Sequence, residues 1–316
     1  TYSGPPTVIA KIKYPRAELT VMARPFLKWA GGKRQMIPAI EERLPRDLAD
    51  FDTYVEPFIG GGALMFHLLE RYDFDDVHIS DVNPELTLCY RMIRDEADLV
   101  NTHLRELSEK YPEDEEGQAG IFFETRDSWN RNVGSETLSL EGSAIRAART
   151  IFLNKTCFNG LFRVNKKGLF NVPPNYSDAP SFPSHRDLLD VQDALEGVKI
   201  HTCSYEESEG WATDSSFFYI DPPYRPLPGT PSFVSYTKGS FNDEDQRGVA
   251  RFCNDIDAKG ARLLLSNSDP TNSDPSDRFF DDLFEGFRIE RVDASRSINS
   301  KGDSRGKIRE ILVSNY

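Results

Sequence analysis

No stretch of this 316-residue chain approaches the roughly 18 apolar residues of a membrane-spanning helix, and the first 25 residues hold no apolar signal core. A cytosolic protein is expected. Cysteine is sparse: Cys89, Cys157, Cys203 and Cys253 are far apart and form no C-x-x-C pair, so neither a disulfide framework nor a zinc site is indicated. Five scattered histidines add no metal-ligand pattern, and no metal is expected. Internal repeats are absent.

Positive charge is also short, with a net charge of −13, which suits a polyanionic partner poorly. The distribution changes that picture. Residues 23–35 hold Arg24, Lys28, Lys33 and Arg34 without an acid, and residues 154–177 hold Lys155, Arg163, Lys166 and Lys167 without one. A third island, residues 295–309, holds five basic residues against Asp303 alone. Acidic runs such as Glu113–Glu116 and Asp243-Glu244-Asp245 are then expected to be solvated surface.

The most informative stretch is Phe217-Phe218-Tyr219-Ile220-Asp221-Pro222-Pro223-Tyr224. Its apolar and aromatic run predicts a buried parallel strand that stops abruptly and delivers Asp221 into a crevice. Pro222 and Pro223 fix φ near about −65° and withhold two backbone donors, so the chain is stiff where the acid emerges. A carboxylate acceptor, a carbonyl without a ladder partner and the Tyr224 ring together suit a planar, amino-bearing heterocycle such as adenine or cytosine. A plain strand-to-loop turn is the competing reading, since Asp-Pro and Pro-Pro pairs mark turns generally.

Upstream, Asp52 to Leu64 reads as a strand, the turn Gly60-Gly61-Gly62 and a helix, the arrangement that binds nucleotides in doubly wound sheets. The next strand, Val77–Ser80, ends in Asp81, about 20 residues beyond the turn, where a carboxylate can grip two ribose hydroxyls. The glycines match neither G-x-G-x-x-G nor a P-loop, so an adenosine cofactor fits better than a dinucleotide, and a phosphate site ranks second. Phe26 to Lys33 opens the folded part: two glycines permit close backbone approach, Trp29 offers a stacking or packing face, and Lys33 begins a helix.

Helical spacing recurs over Leu86–Leu107, Ala144–Leu153 and Leu188–Leu195, and strands are expected at Val198–Cys203, Arg262–Asp269 and Ile308–Tyr316. Between the second helix and Pro173 aromatics, asparagines and basic residues interleave. Lys166-Lys167-Gly168 marks a hairpin between two short strands, a shape that can enter a DNA groove. There Arg163 is suited to a guanine edge, Asn159 to adenine, and Phe158 to wedging into the gap left by a flipped base. A basic surface hairpin with no partner is the bland alternative. Residues 226–239, rich in Pro, Gly, Ser and Thr, are expected to be a mobile loop that closes over substrate.

Asp-Pro-Pro-Tyr after a hydrophobic strand resembles the catalytic signature of the adenine-N6 and cytosine-N4 DNA methyltransferases, and the similarity runs over nearly the whole chain after Met22. Cofactor blocks precede the recognition block, which precedes Asp-Pro-Pro-Tyr, the order of the Dam-like group. Phe26–Lys33 is almost word for word the amino-terminal motif of Dam-type enzymes, and residues 154–173 are similar to the hairpin with which Dam and DpnII-type enzymes recognise GATC. The resemblance implies a doubly wound, mostly parallel α/β fold, Rossmann-like, with a helical, hairpin-bearing recognition module inserted. The catalytic domain is expected at residues 22–83 and 190–316, the recognition module at 84–189, and a disordered extension at 1–21, with Met22 as a natural start.

The implied cofactor is S-adenosylmethionine, held by Trp29, Lys33, Glu56, Phe58, Gly60, Asp81 and Asp221, with Tyr205-Glu206 flanking its adenine. Asp221, Pro222, Pro223 and Tyr224 are the implied catalytic residues, for direct methyl transfer to N6 of a flipped adenine. Lys155, Phe158, Asn159, Leu161, Arg163, Lys166, Lys167 and Pro173 are the implied contacts to double-stranded DNA. A restriction endonuclease acting on the same site is a candidate partner, the expected state is a monomer, and the expected setting is a prokaryotic cytoplasm or a phage. Methylation of cytosine N4 or of an RNA base would use the same cage. A DNA-binding regulator without catalysis is the alternative of another class, against which the intact Asp221–Tyr224 block argues.

Overall fold

Successive side chains of a strand face opposite sides of its sheet, so each strand here serves two layers. The computed structural model describes residues 23–131, 133, 138–176, 180–225, 241–294 and 308–316; the expected extension, the loop at 226–239 and most of the third basic island lie outside the described residues. Among the described residues seven strands form one sheet: β1 (Thr53–Glu56), β2 (Asp76–Asp81), β3 (Lys199–Thr202), β4 (Ser216–Ile220), β5 (Arg262–Ser268), β6 (Arg288–Ala294) and β7 (Ile308–Ser314). Their order is β3-β2-β1-β4-β5-β7-β6, parallel throughout except for β7, which runs antiparallel to both β5 and β6. This is a Rossmann-like, mostly parallel sheet, as expected.

The helices are α1 (Ile37–Glu41), α2 (Ala63–Leu69), α3 (Pro84–Glu109), α4 (Glu115–Arg131), α5 (Leu140–Thr156), α6 (His185–Ala194), α7 (Asp243–Ala258) and α8 (Phe279–Leu283). Tyr54, Phe217, Tyr219 and Leu264 face a core completed by α1, α2, α3, α5 and α6. Val55, Phe218, Ile220, Leu263 and Leu265 face the opposite core, with α7 and α8. A third, smaller cluster joins Phe122 and Trp129 of α4 to Leu153 of α5 and to Phe162, Phe170 and Val172 beyond it. Because every residue of β4 is buried, its near-continuous apolar run was legible as a central strand.

The chain lays down β1, β2 and β3 toward one edge, then returns to place β4 on the other side of β1, with Val55 opposite Phe218. The strand order therefore reverses between β1 and β4, and a crevice opens at their carboxyl ends. Glu56 and Asp221 lie at those ends.

The structure departs from the sequence reading in two respects, the elements it adds and the form of the hairpin. Helices α4, α7 and α8 and strand β6 were not anticipated; β6, Arg-Ile-Glu-Arg-Val-Asp-Ala, carries four charges in seven residues at the edge of the sheet. The acidic runs lie at the surface as expected, and the one at residues 243–245 is also the first turn of α7, where Asn242 and Asp245 form a reciprocal capping box and the carboxylates meet the positive end of the helix dipole. Glu115 and Glu116 occupy the same place in α4. The expected two-stranded hairpin reduces to isolated bridges, Val164 with Phe170 and Cys157 with Pro174. Asn165 instead holds the turn, its side chain accepting from the backbone of Lys167 and Leu169 at 2.9 and 3.2 Å.

Buried Arg146 of α5 joins three helices. It reaches Glu85 at the start of α3 with two bonds of 2.8 and 2.6 Å, donates to the Trp129 carbonyl at 2.9 Å, and lies 4.1 Å from the Trp129 ring centre. Arg146→Met should strand the Glu85 carboxylate and cost about 3–5 kcal/mol of stability, whereas Arg146→Met with Glu85→Met should lose much less. Denaturant midpoints of the two variants check this; equal losses would show that the ion pair is not what binds these helices.

Candidate active site

Ile220 is the last residue of β4, and Asp221 follows it into the crevice with its side chain only 18% exposed. Its Oδ1 lies 2.9 Å from Nζ of Lys33 and accepts from the Ser266 hydroxyl at 2.8 Å. Ser266, on β5, shares a 3.0 Å hydrogen bond with the Tyr219 hydroxyl, so the two neighbouring strands fix the acceptor from beneath. Lys33 also donates to the Gly31 carbonyl at 2.7 Å and stands 4.4 Å from the centre of the Tyr224 ring. Burial holds the Asp221 carboxyl above its ordinary value, with Lys33 and Ser266 pulling against it.

Glu56 ends β1, almost fully buried, and accepts from the Tyr54 hydroxyl at 2.6 Å. Burial, reinforced by the Asp221 charge, pushes its pKa up to about 8, although Tyr54 and Lys33 oppose this. Glu56 therefore keeps its proton at neutral pH. Asp81 ends β2 and accepts from the backbone of Asn83 at 2.9 Å and of Gly60; burial raises its pKa to about 6. Gly60 and Gly62 both have left-handed backbones, with φ of 46° and 67°, and Gly62 caps α2. A Cβ at Gly62 would stand 2.6 Å from the Tyr90 hydroxyl, which itself donates to the Gly60 carbonyl at 3.0 Å.

Phe58 stacks on Tyr205 at 5.2 Å, while Glu206 accepts from the Ser204 hydroxyl. Trp29 is wedged: its ring stacks on Phe162 at 5.8 Å and abuts Gly60, where a Cβ would come within 2.9 Å of it. Thus Lys33, Glu56, Asp221 and Tyr224 form one cluster at the ends of β1 and β4. Gly60 and Asp81 lie next to it at the end of β2, and Trp29 links the glycine turn to the basic segment.

In that segment Phe158, Asn159, Arg163, Lys166, Lys167 and Pro173 are exposed, Leu161 is half-buried, and Lys155 is substantially enclosed. Burial, with the Lys28 charge, lowers the Lys155 pKa to about 8. Asn159 has a left-handed backbone, φ 56°. Arg163 is oriented by Asn171, donating through Nε to its Oδ1 at 2.8 Å and through Nη2 to its carbonyl at 3.2 Å.

Sequence reasoning missed several supporting side chains. Asn154, fully buried, accepts from the Lys28 amide at 2.8 Å and donates to the carbonyls of Lys28 and Gly160 at 2.8 and 2.7 Å, pinning the Trp29 segment to the basic loop. Gln246 donates to the Pro223 carbonyl at 2.9 Å and is held by Asn267 at 3.0 Å. Arg225 grips Asp243 with two bonds of 2.8 and 3.0 Å and Asp277 with one of 2.7 Å. The Tyr224 hydroxyl donates to Glu310 of β7 at 2.5 Å. No local motif announces these partners, because each joins elements far apart in the chain.

A family model described as D12 class N6 adenine-specific DNA methyltransferase matches residues 29–298. The chain is 44% identical over 297 residues to Type II methyltransferase M.MjaIII of Methanocaldococcus jannaschii, covering 93% of this chain and 99% of that protein. It is 36% identical to Type II methyltransferase M1.LlaDCHI of Lactococcus lactis subsp. cremoris, covering 93% and 95%. It is 30% identical to the DNA adenine methylase of Vibrio cholerae, covering 92% and 95%. The chain belongs to the D12 class of N6 adenine-specific DNA methyltransferases.

Proposed function

We propose that the protein methylates N6 of adenine within GATC in double-stranded DNA, taking the methyl group from S-adenosylmethionine after the base has been turned out of the helix. The observation that carries this reading is Asp221: a nearly buried carboxylate at the switch point of the sheet, with two contacts on Oδ1 and the Tyr224 ring close by. In this reading Oδ2 of Asp221 and the Pro222 carbonyl accept from the adenine amino group, turning its lone pair toward the cofactor, while Tyr224 stacks on the base.

The residues at the ends of β1 and β2 fit S-adenosylmethionine by their chemistry. Asp81 offers a carboxylate for a ribose diol, the left-handed Gly60 turn keeps the backbone clear of a β-carbon, and Phe58 with Tyr205 gives an aromatic wall. When bound, the cofactor supplies a methyl group on a positively charged sulfur. The remaining demand on the protein is alignment and exclusion of water, which the buried Lys33, Asp221 and Ser266 set meets. Target choice falls to the basic segment, where Asn171 aims the guanidinium of Arg163 outward toward a guanine edge, with Phe158 and Asn159 beside it. Lys155, Leu161, Lys166, Lys167 and Pro173 complete the DNA face, and residues 84–189 form the recognition module. A restriction endonuclease of the same specificity is the partner this reading suggests.

Asp221→Ala should abolish methylation while leaving the fold and much of the cofactor binding in place, at a cost in stability from the Lys33 ammonium left without its partner; near-normal turnover would sink the mechanism. Nucleoside mass analysis of the product separates N6-methyladenine from N4-methylcytosine.

Glu56 adds a pH dependence whose sign is fixed. Its folded pKa of about 8 lies above the ordinary 4.5, so its stabilising contribution is full below pH 4.5 and is lost as pH rises through 8. Glu56→Gln should therefore gain stability relative to the parent across that interval. Chemical denaturation at several pH values measures it, and parallel curves for the two proteins would mean that Glu56 is already ionised in the fold.

Arg163→Ala should lower activity on GATC by roughly ten- to a hundred-fold, and by less on sites altered at the contacted base pair, since a bidentate arginine–guanine contact gives about 1–3 kcal/mol of discrimination. Lys166→Ala or Lys167→Ala should weaken all sequences alike and reduce the salt slope of binding by about 0.9 per lost phosphate contact. A uniform loss for Arg163→Ala would show that it holds only the backbone, and modified-base sequencing that maps methylation to another motif would overturn GATC.

A further inference from the structure

Tyr224 is held at two points. The Lys33 ammonium lies 4.4 Å from its ring centre, and its hydroxyl donates to Oε2 of Glu310 at 2.5 Å. The second contact has the length of a charge-assisted O–H···O⁻ bond, the stronger class of hydrogen bond. We propose that Glu310 is a positioning residue for adenine methylation, which locks the Tyr224 ring in the pose that receives the target base. This rests on the function proposed above and extends it to a residue outside the Asp-Pro-Pro-Tyr motif.

The fold makes Glu310 a fixed point. It lies on β7, opposite Ser268 of β5 and Val292 of β6, so backbone ladders hold it on both sides. Its neighbours are anchored too: Arg309 lies 3.3 Å from buried Asp269 and donates to the Thr271 hydroxyl at 2.8 Å, while Ile311 is buried in the α7 core. Alternation then sends Glu310 to the other face of the sheet, the face of Leu312 and Tyr219, where the Asp221 site lies. Rotation of an aromatic ring about its own axis is soft, so contacts at its hydroxyl and on its faces decide where the Tyr224 ring sits. A carboxylate at the hydroxyl fixes where the ring points, and a cation over one face fixes how that face is turned. The base takes the opposite face.

Single-turnover methylation of a GATC duplex tests this in the full-length protein. Glu310→Ala should slow the chemical step by about tenfold, and by no more than the roughly hundred-fold cost of an ångström of misplacement, without altering the KM for S-adenosylmethionine. Glu310→Gln, which still accepts from the hydroxyl, should restore the rate to within a few-fold. Tyr224→Phe removes the same bond from the other side, so Glu310→Ala should add nothing in that background. Multiplying losses in the double variant, or a glutamine variant as slow as the alanine one, overturns the proposal. If Glu310→Ala does not fold, Tyr224→Phe decides: a rate equal to the parent's overturns it. Tyr224→Ala separates the two levels, because an unimpaired Tyr224→Ala refutes the role given to the motif itself, whereas an impaired one leaves that reading intact whatever Glu310 does.

Discussion

Asp221 stands at the end of a strand with no exposed residue, and ionising a carboxylate there is costly unless a cation stands beside it. Lys33 supplies that cation at 2.9 Å, and it arrives from the other end of the chain. The same ammonium reaches the Gly31 carbonyl, which the left-handed backbone of Gly31, φ 78°, turns toward it. One contact thus ties the amino-terminal glycine pair to the central strand. It also settles the charge of the crevice: two carboxyl groups, Glu56 and Asp221, lie near one ammonium, and the one with both the ion pair and the Ser266 bond is the better placed to carry the charge. Glu56, paired with the Tyr54 phenol, keeps its proton.

Around this pair the protein uses neutral amides where position matters and charge would interfere. Gln246 and Asn267, both buried, hold the Pro223 carbonyl and the Arg225 amide, so the backbone on either side of Tyr224 is bonded although the prolines contribute no donors. Asn154 does the same between the Lys28–Trp29 segment and the basic loop, and it is aided by Gly160: a Cβ there would lie 2.5 Å from the Lys28 Cβ. The indole of Trp29 then spans from the glycine turn to Phe162. Displacing the basic loop moves Trp29 and Lys28, and with them the approach to Lys33. The basic loop and the Asp221 cluster share one packed seam.

The sheet and the acids at its strand ends were legible because their signals are local. A four-residue apolar run before Asp-Pro-Pro-Tyr, three glycines after a strand, and Asp81 after another each need only neighbouring residues to be understood. What escaped reading is non-local. Asn154, Gln246, Asn267, Arg225 and Glu310 are ordinary polar residues until the fold places a partner 6 to 126 residues away against them. Helix α7 escaped for another reason, since an exposed acidic run looks the same in sequence whether or not it opens a helix. The hairpin strands were overread, because aromatic and basic interleaving signals exposure on one face but not a regular ladder.

The charge distribution follows the same division between local and distant effects. A net charge of −13 opposes DNA only as far as its field reaches, and at physiological salt exposed charges are screened beyond about 8 Å. Many acids are also spent locally: Asp243 on Arg225, Asp245 and Asp187 in capping boxes, Glu85 on Arg146, and Glu115 and Glu116 at a helix start. Each lowers the energy of the fold at its own site and projects little charge beyond it. The exposed cations of the basic segment, Arg163, Lys166 and Lys167, have no acidic residue between positions 154 and 177 to compensate them. Over the distance at which a phosphate would be gripped, the basic segment is therefore positive whatever the sign of the total.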